Sequence, residues 1–325
     1  MYSSAVGTYD MRDLQSACVA VTGGRGFVGS AVVRILRARG CGNIVQPTRS
    51  NCDLLDRDAV TGWMRSAKPD IVVHCAAATG GIAWNAANGL AAFRDNMVMS
   101  LNLFESAAAN GVAHVTHVST SIAYPSDAAP PFVESTLWDG RPGGPTAGYA
   151  HAKRLGQVVL ELAQQNSAMT AAVVMPANIY GVGARMEPER ANVVAAMVHR
   201  FVDASSRSLD RVSCWGTGSP QREFIHVDDV AEGIVLATER IDTPDPINLG
   251  TGVPCSIREL AELVANAAEW KGEIDWDTSK PDGVLRVCCD VRRMKAALGW
   301  SPEIQLTDGV RSMVQWYQHE VRERD

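Results

Sequence analysis

The stretch Cys18-Val19-Ala20-Val21-Thr22-Gly23-Gly24-Arg25-Gly26-Phe27-Val28-Gly29 restricts this chain more than any other. A short apolar run with β-branched residues reads as a buried parallel strand. The glycines at 23, 26 and 29 read as the turn into a helix that begins near Phe27. Val32, Val33, Ile35 and Leu36 continue that helix with one apolar face for packing on a sheet. In such a unit Gly23 allows the tight turn, Gly26 lets a phosphate approach the backbone, and Gly29 lets helix and strand pack closely. Free N–H groups and the positive end of the helix dipole then face a dinucleotide pyrophosphate. A glycine-rich turn that binds nothing is the alternative, and the features downstream weigh against it.

The next strand, Asn43-Ile44-Val45, ends toward Thr48-Arg49. In a dinucleotide fold an acid at this strand end favours NAD, whereas an arginine accommodates the 2′-phosphate of NADP. No acid occurs between Gly29 and Asp53, and Arg25 adds a second positive charge. The expected cofactor is therefore NADP(H) in preference to NAD, the alternative being two arginines that are merely solvated. A helix ending near Ala67, the run Ile71-Val72-Val73-His74-Cys75, a helix over 90–110 and a strand over 112–119 follow. This alternation implies a parallel sheet with right-handed crossovers. Ala76-Ala77-Ala78 are small enough for backbone to lie against a cofactor or for tight packing. The Gly-, Ala- and Asn-rich segment 79–89 reads as a loop, and so does the Pro- and Gly-rich segment 125–145.

A helix from Ala147 places Tyr149 and Lys153 four residues apart, on one face. A free tyrosine, with a pKa of about 10, is a poor acid or base at neutral pH. An ammonium ~4 Å away favours the phenolate by ~4 kcal/mol at an effective dielectric of ~20, bringing the phenol toward working pH. Thr120, at the end of the preceding strand, offers a hydroxyl to hold a substrate oxygen. An ordinary surface Tyr/Lys pair is the bland alternative. The glycine loop upstream and the intervening Thr favour catalysis.

Gly23-x-x-Gly26-x-x-Gly29, Asp53-Leu54, Thr120 and Tyr149-x-x-x-Lys153 resemble the extended short-chain dehydrogenase/reductase family. Within it the likeness is to the GDP-L-fucose synthase branch, over nearly the whole chain after Ala17. Further stretches carry it: Met175-Pro176-Ala177-Asn178-Ile179-Tyr180-Gly181, Cys214 to Asp229 around Arg222-Glu223-Phe224-Ile225-His226, Ile247 to Gly252, and Ser279 to Gly283. The resemblance implies a Rossmann-type doubly wound α/β fold with a smaller C-terminal substrate lobe. It implies catalytic Thr120, Tyr149 and Lys153, and a cofactor site of Gly23, Arg25, Gly26, Phe27, Val28, Gly29, Arg49, Asp53, Leu54, Ala76, Ala77, Ala78, Pro176, Asn178 and Ile179. The nucleotide-diphosphate end of a sugar donor falls to Arg200, Trp215, Arg222 and Lys280, and the sugar's surroundings to Ser121, Ile122, Asn178 and Asn192. For Trp215 a place in the core is an equal alternative.

One departure bears on mechanism. The branch epimerises C3 and C5 with a Cys and a His before reducing a 4-keto sugar, and Ile122 and Asn192 stand at those positions. Neither side chain can carry a proton between carbon and solvent, so reduction without double epimerisation is expected. His199, near Asn192 on the same expected helix, is better read as a packed or solvated histidine. The leading expectation is an NADPH-dependent reductase of a keto group, at C4, on a nucleotide-diphosphate sugar. A 4-epimerase with retained cofactor is the alternative, since it needs the same Tyr, Lys and Thr.

The expected division is a loose tail over 1–16 rather than a signal peptide, a cofactor domain of 17–180 and 224–250, and a substrate lobe of 181–223 and 251–325. In that lobe Ser256 and Glu259 form a capping box. His226-Val227-Asp228-Asp229 has no ligand set of its own and is expected to be structural. With 30 Lys and Arg against 36 Asp and Glu, the net charge of −6 argues against nucleic acid as partner. The eight cysteines lack ligand spacing and read as reduced thiols of a cytoplasmic protein. No membrane partner is expected, and the resemblance favours a GDP sugar and a homodimer.

Overall fold

The computed structural model describes residues 11–187, 190–280 and 282–322. The first half runs β1 (Cys18–Thr22), α1 (Phe27–Ala38), β2 (Asn43–Val45), α2 (Arg57–Ala67), β3 (Ile71–His74), α3 (Ile82–Ala87), α4 (Gly89–Ala109), β4 (His114–Val118), α5 (Ala147–Gln165) and β5 (Thr170–Pro176). There follow β6 (Asn178–Tyr180), α6 (Val193–Ser206), β7 (Arg211–Trp215), β8 (Gln221–His226), α7 (Val227–Arg240), β9 (Pro246–Leu249), β10 (Pro254–Ser256), α8 (Ile257–Ala267), β11 (Glu273–Asp277), α9 (Arg292–Leu298) and α10 (Leu306–Arg322).

Six strands form a parallel sheet in the order β2-β1-β3-β4-β5-β9. The chain steps from β1 outward to β2, then crosses back to β3. Where strand order reverses in this way, a crevice opens beyond the carboxyl ends of the strands. Alternate residues of one strand feed two cores: Val19 and Val21 join α1, α7 and α9 on one face, while Ala20 joins α2, α4 and α5 on the other. Burial on both faces is why these strands read as continuous apolar runs.

A separate core gathers Phe201 and Val198 of α6, Leu260 and Val264 of α8, and Val310, Met313 and Val314 of α10. Two small sheets, β10-β8-β6 and β11-β7, border it. The capping box at α8 is present, with Ser256 Oγ accepting from Glu259 N (3.1 Å) and Glu259 Oε2 accepting from Ser256 N (2.7 Å). His226 caps α7, and Asp229 accepts from Glu303 N (3.1 Å) and Ile304 N (3.0 Å). This motif therefore fastens helix ends.

Three expectations are corrected. Segment 79–89 contains α3, because Asn85 Nδ2 donates back to Gly80 O (2.7 Å) and Gly81 O (3.1 Å) and so closes a helical turn. Residues 11–16 are fastened rather than loose: Leu14 is buried, and Arg12 pairs with Asp242 and donates to Thr238 O (2.8 Å) and Thr170 Oγ1 (3.0 Å). Residues 1–10 of the expected tail lie outside the described residues. Finally, α9 leaves the substrate lobe, since Met294 and Leu298 are buried in the core under the main sheet. Among the described residues no helix is long and apolar enough to cross a membrane.

Candidate active site

The glycine turn is built as an open cradle. Gly26 N donates to Gly23 O (2.8 Å), and Gly26 is the N-cap of α1 with no side chain supplying the cap. The first-turn amides are thus free for an anion, and no acid occupies that turn. Gly23 has φ +65°, and a Cβ there would lie 2.8 Å from Ala76 N; a Cβ at Gly29 would overlap the Gly23 carbonyl. The loop therefore rests on the end of β3, and these residues fit a dinucleotide diphosphate. Ala77 is exposed beside the loop, while Ala76 and Ala78 are half-buried. Asn96 holds Ala78 by both its N–H (3.0 Å) and its carbonyl (2.8 Å).

Of the basic groups expected at the ribose, Arg25 is exposed, and Arg49 is exposed with its Nε 3.7 Å from Asp53. Sequence reasoning missed Gln46. A Cβ at Gly24 would meet its Cγ at 2.8 Å, so this amide lies on the glycine loop where β2 ends. Its place directly after the apolar run Asn43-Ile44-Val45 was the available signal. Asp53 Oδ1 accepts from Leu55 N (3.1 Å), and the Leu54 carbonyl accepts from Asn102 (3.0 Å). Phe27 packs against both the main core and the lobe core, whereas Val28 and Ile179 pack on the main core. Pro176 is buried at the end of β5. Asn178 donates Nδ2 to Glu223 O (2.8 Å), joining β6 to β8.

The chemical groups stand at the ends of β3 and β4. Lys153 is 2% exposed and donates Nζ to Val118 O (2.8 Å) and Ala76 O (3.5 Å). Its own carbonyl accepts from His117 Nε2 (3.0 Å) and Ser119 Oγ (3.2 Å). Thr120 is buried and its Oγ1 accepts from Ile122 N (3.3 Å), which leaves its O–H as a donor. Ser121 is buried, and Ile122 turns outward at 40% exposure. Tyr149 shares the face of α5 with Lys153, beside a backbone contact where a Cβ at Gly148 would overlap the Gly89 carbonyl.

Here the electrostatic expectation is corrected. Burial raises the Tyr149 phenol above its usual range, and no hydrogen bond among the described residues reaches its hydroxyl. Burial also lowers Lys153 to about 8. The lysine amine is taken up by main-chain carbonyls, and desolvation governs the phenol. Beneath it lies an apolar tier that the sequence reading did not identify. The His74 and His117 rings stack at 5.6 Å with Phe104 edge-on, and burial lowers His117 to about 3. Two neutral imidazoles thus support the floor.

On the lobe side, Arg200 and Trp215 line one pocket, floored by Ala196, Met197 and Ile257. Trp215 is 70% exposed, which rules out its alternative place in the core. Arg200 is anchored through Nη1 to Ser213 O (2.8 Å). Arg222 is half-buried with Nη1 donating to Gln221 O (2.8 Å), and Lys280 is exposed. Asn192 proves to be the N-cap of α6: its Oδ1 accepts from Ala195 N (2.9 Å) and its Nδ2 donates to Ile179 O (2.9 Å). His199 packs 5.8 Å from the Tyr317 ring of α10.

A glycine cradle, a buried lysine and a helix-borne tyrosine at one sheet edge define an enzyme of the short-chain dehydrogenase/reductase class. Residues 19–250 match the NAD dependent epimerase/dehydratase family, and the chain belongs to it. It is 37% identical over 303 residues to the putative GDP-L-fucose synthase 2 of Arabidopsis thaliana, covering 93% of this chain and 92% of that one. It is 36% identical over 308 residues to the GDP-L-fucose synthase of Escherichia coli, covering 92% and 96%. A solved structure of MlghC, the GDP-mannoheptose C4 reductase of Campylobacter jejuni with NADP bound, superposes with a TM-score of 0.82 at 28% identity, covering 92% and 98%.

Proposed function

We propose that this protein is an NADPH-dependent reductase of a C4 keto group on a nucleotide-diphosphate sugar, a GDP sugar, and that it leaves C3 and C5 unepimerised. It is an NADP-dependent oxidoreductase of nucleotide sugars, in keeping with the relatives named above. One observation carries the chemical part: Ala76 is touched by both the glycine loop and Lys153, so the cofactor cradle and the Tyr149 helix meet at one point.

Bound in the cradle, NADPH supplies the hydride. Tyr149 gives its proton to the sugar oxygen. Its raised pKa keeps the phenol protonated across neutral pH, the state an acid requires. The Thr120 hydroxyl donates to the same oxygen. Lys153, a cation held at the end of β4, stabilises the charge left on the phenolate. Ile122 has no titratable group, and the Asn192 amide is engaged at both polar atoms, Oδ1 in the α6 cap and Nδ2 on the Ile179 carbonyl of β6, which supports the absence of proton removal at carbon.

The test is incubation with a panel of GDP- and UDP-linked 4-keto sugars in D2O. Loss of NADPH absorbance matching product, with no deuterium at C3 or C5, is expected. Deuterium at those carbons would overturn the unepimerised part. With the corresponding 4-hydroxy sugars added to the panel, inversion at C4 without net NADPH use would replace reduction by 4-epimerisation. A homodimer is supported by the outward Leu101 of α4 and Leu162 of α5, which are 44% and 54% exposed on adjoining helices, and sedimentation equilibrium decides it.

A further inference from the structure

The parallel strands β7 and β11 end side by side, and one carboxylate joins the turns that leave them. Trp215 is paired with Asp277, and Gly216 N donates to Asp277 O (2.9 Å). Beyond that point Asp282 accepts through Oδ1 from Thr217 N (2.7 Å) and through Oδ2 from Thr217 Oγ1 (2.8 Å). A Cβ at Gly216 would overlap Asp282 Oδ1, so the carboxylate lies directly on the backbone of the turn. From the other side, Arg258 of α8 donates to Thr217 O (2.7 Å) and lies 4.6 Å over the Trp276 ring, on which Gly218 also rests. After Asp282 the chain runs along β8. Gln221 N donates to Leu285 O (2.8 Å), Val287 N donates to Gln221 O (3.0 Å), and a Cβ at Gly283 would lie 3.8 Å from Arg222 Nη2.

We propose that Asp282 is a positioning residue for the nucleotide-diphosphate subsite. By fastening the turn after Trp215 to the segment beside Arg222, it sets the ring and the guanidinium on one cleft before a ligand arrives. A free carboxylate beside a diphosphate is unfavourable by like-charge repulsion. Occupation of both its oxygens by Thr217 reduces that cost. This role rests on the nucleotide-sugar reading above, and it adds a residue that touches neither substrate nor cofactor.

Calorimetric titration of the whole chain with GDP, with UDP, and separately with NADP+, tests it. Asp282→Ala loses two hydrogen bonds and is expected to weaken GDP binding roughly tenfold. NADP+ affinity and Tm stay unchanged. Asp282→Asn is expected to restore GDP binding, because its amide oxygen accepts from Thr217 N and its NH2 donates to the Thr217 hydroxyl. Thr217→Val, which removes only the hydroxyl, serves should the alanine variant fail to fold, with a loss of about threefold expected. Equal GDP affinity in wild type and the tested variant would sink the positioning role alone, as would a parallel loss of NADP+ affinity and Tm. Wild-type protein that binds NADP+ but neither GDP nor UDP would sink the nucleotide-sugar reading and this role together.

Discussion

The edge of the main sheet and the edge of the lobe are made differently. At the sheet edge, Lys153 and Thr120 are 2% and 8% exposed, and the lysine is held by main-chain atoms of paired strands. At the lobe edge Trp215 is 70% exposed, and Arg200 and Lys280 stand on the surface, Arg200 held by a hydrogen bond to the Ser213 carbonyl of β7. Proton and hydride transfer demand placement within a fraction of an ångström, which a packed sheet provides. Recognition of a long substrate is spread over several contacts, each of which tolerates some movement. The contrast implies that sheet-edge changes act on turnover and lobe changes on affinity.

The largest effect is expected for Tyr149→Phe. Loss of a general acid lowers kcat by roughly 10²–10⁴, while NADP+ binding measured by fluorescence stays at the wild-type value. Retained turnover would remove this phenol as the proton donor.

Lys153→Met is expected to lower kcat as well, and it has a pH signature. Burial holds the folded lysine at about 8, below its usual 10.5. Between those values the unfolded chain binds the proton and the folded chain does not, so stability rises with pH through that window. Denaturation of wild type and variant from pH 7 to 11 should show wild type gaining on the order of 3 kcal/mol relative to the methionine protein. A flat difference would mean that the amine titrates as in water.

Smaller changes sharpen the contrast. Gln46→Glu places a carboxylate at the end of β2, where it repels a 2′-phosphate, and KM for NADPH should rise about tenfold relative to NADH. An unchanged cofactor ratio would leave discrimination to Arg25 and Arg49. Trp215→Ala should raise KM for the nucleotide sugar by roughly fivefold, the loss of one exposed aromatic contact, with kcat unaltered. A fall in kcat comparable to that of Tyr149→Phe would erase the distinction between the two edges.

Much of the fold was legible because its signals are local. Strand, glycine turn and helix follow one another without a break from Cys18 to Ala38, and the Ser256/Glu259 box marks α8 from a spacing of three. The misplaced pieces depended on distant partners. Arg12 is fastened by Thr170 and Thr238, so nothing near it in sequence marks residues 11–16 as ordered. The helix α3 is closed by the Asn85 amide against two glycine carbonyls, in a composition that reads as loop. Asn192 stood at a position of catalytic interest, yet its amide is consumed by the start of α6 and the Ile179 carbonyl of β6. Gln46 carries no charge and matched neither the acid nor the arginine sought there.

Periodicity and glycine spacing by themselves determined the parallel sheet, the open glycine turn before α1 and the shared face of Tyr149 and Lys153, since each follows from bonds and contacts within a few residues. Only the tertiary structure decided the charge balance of that pair. Desolvation depends on everything packed around a group, and here it raises the phenol and lowers an amine that the fold holds on the carbonyls of Val118 and Ala76.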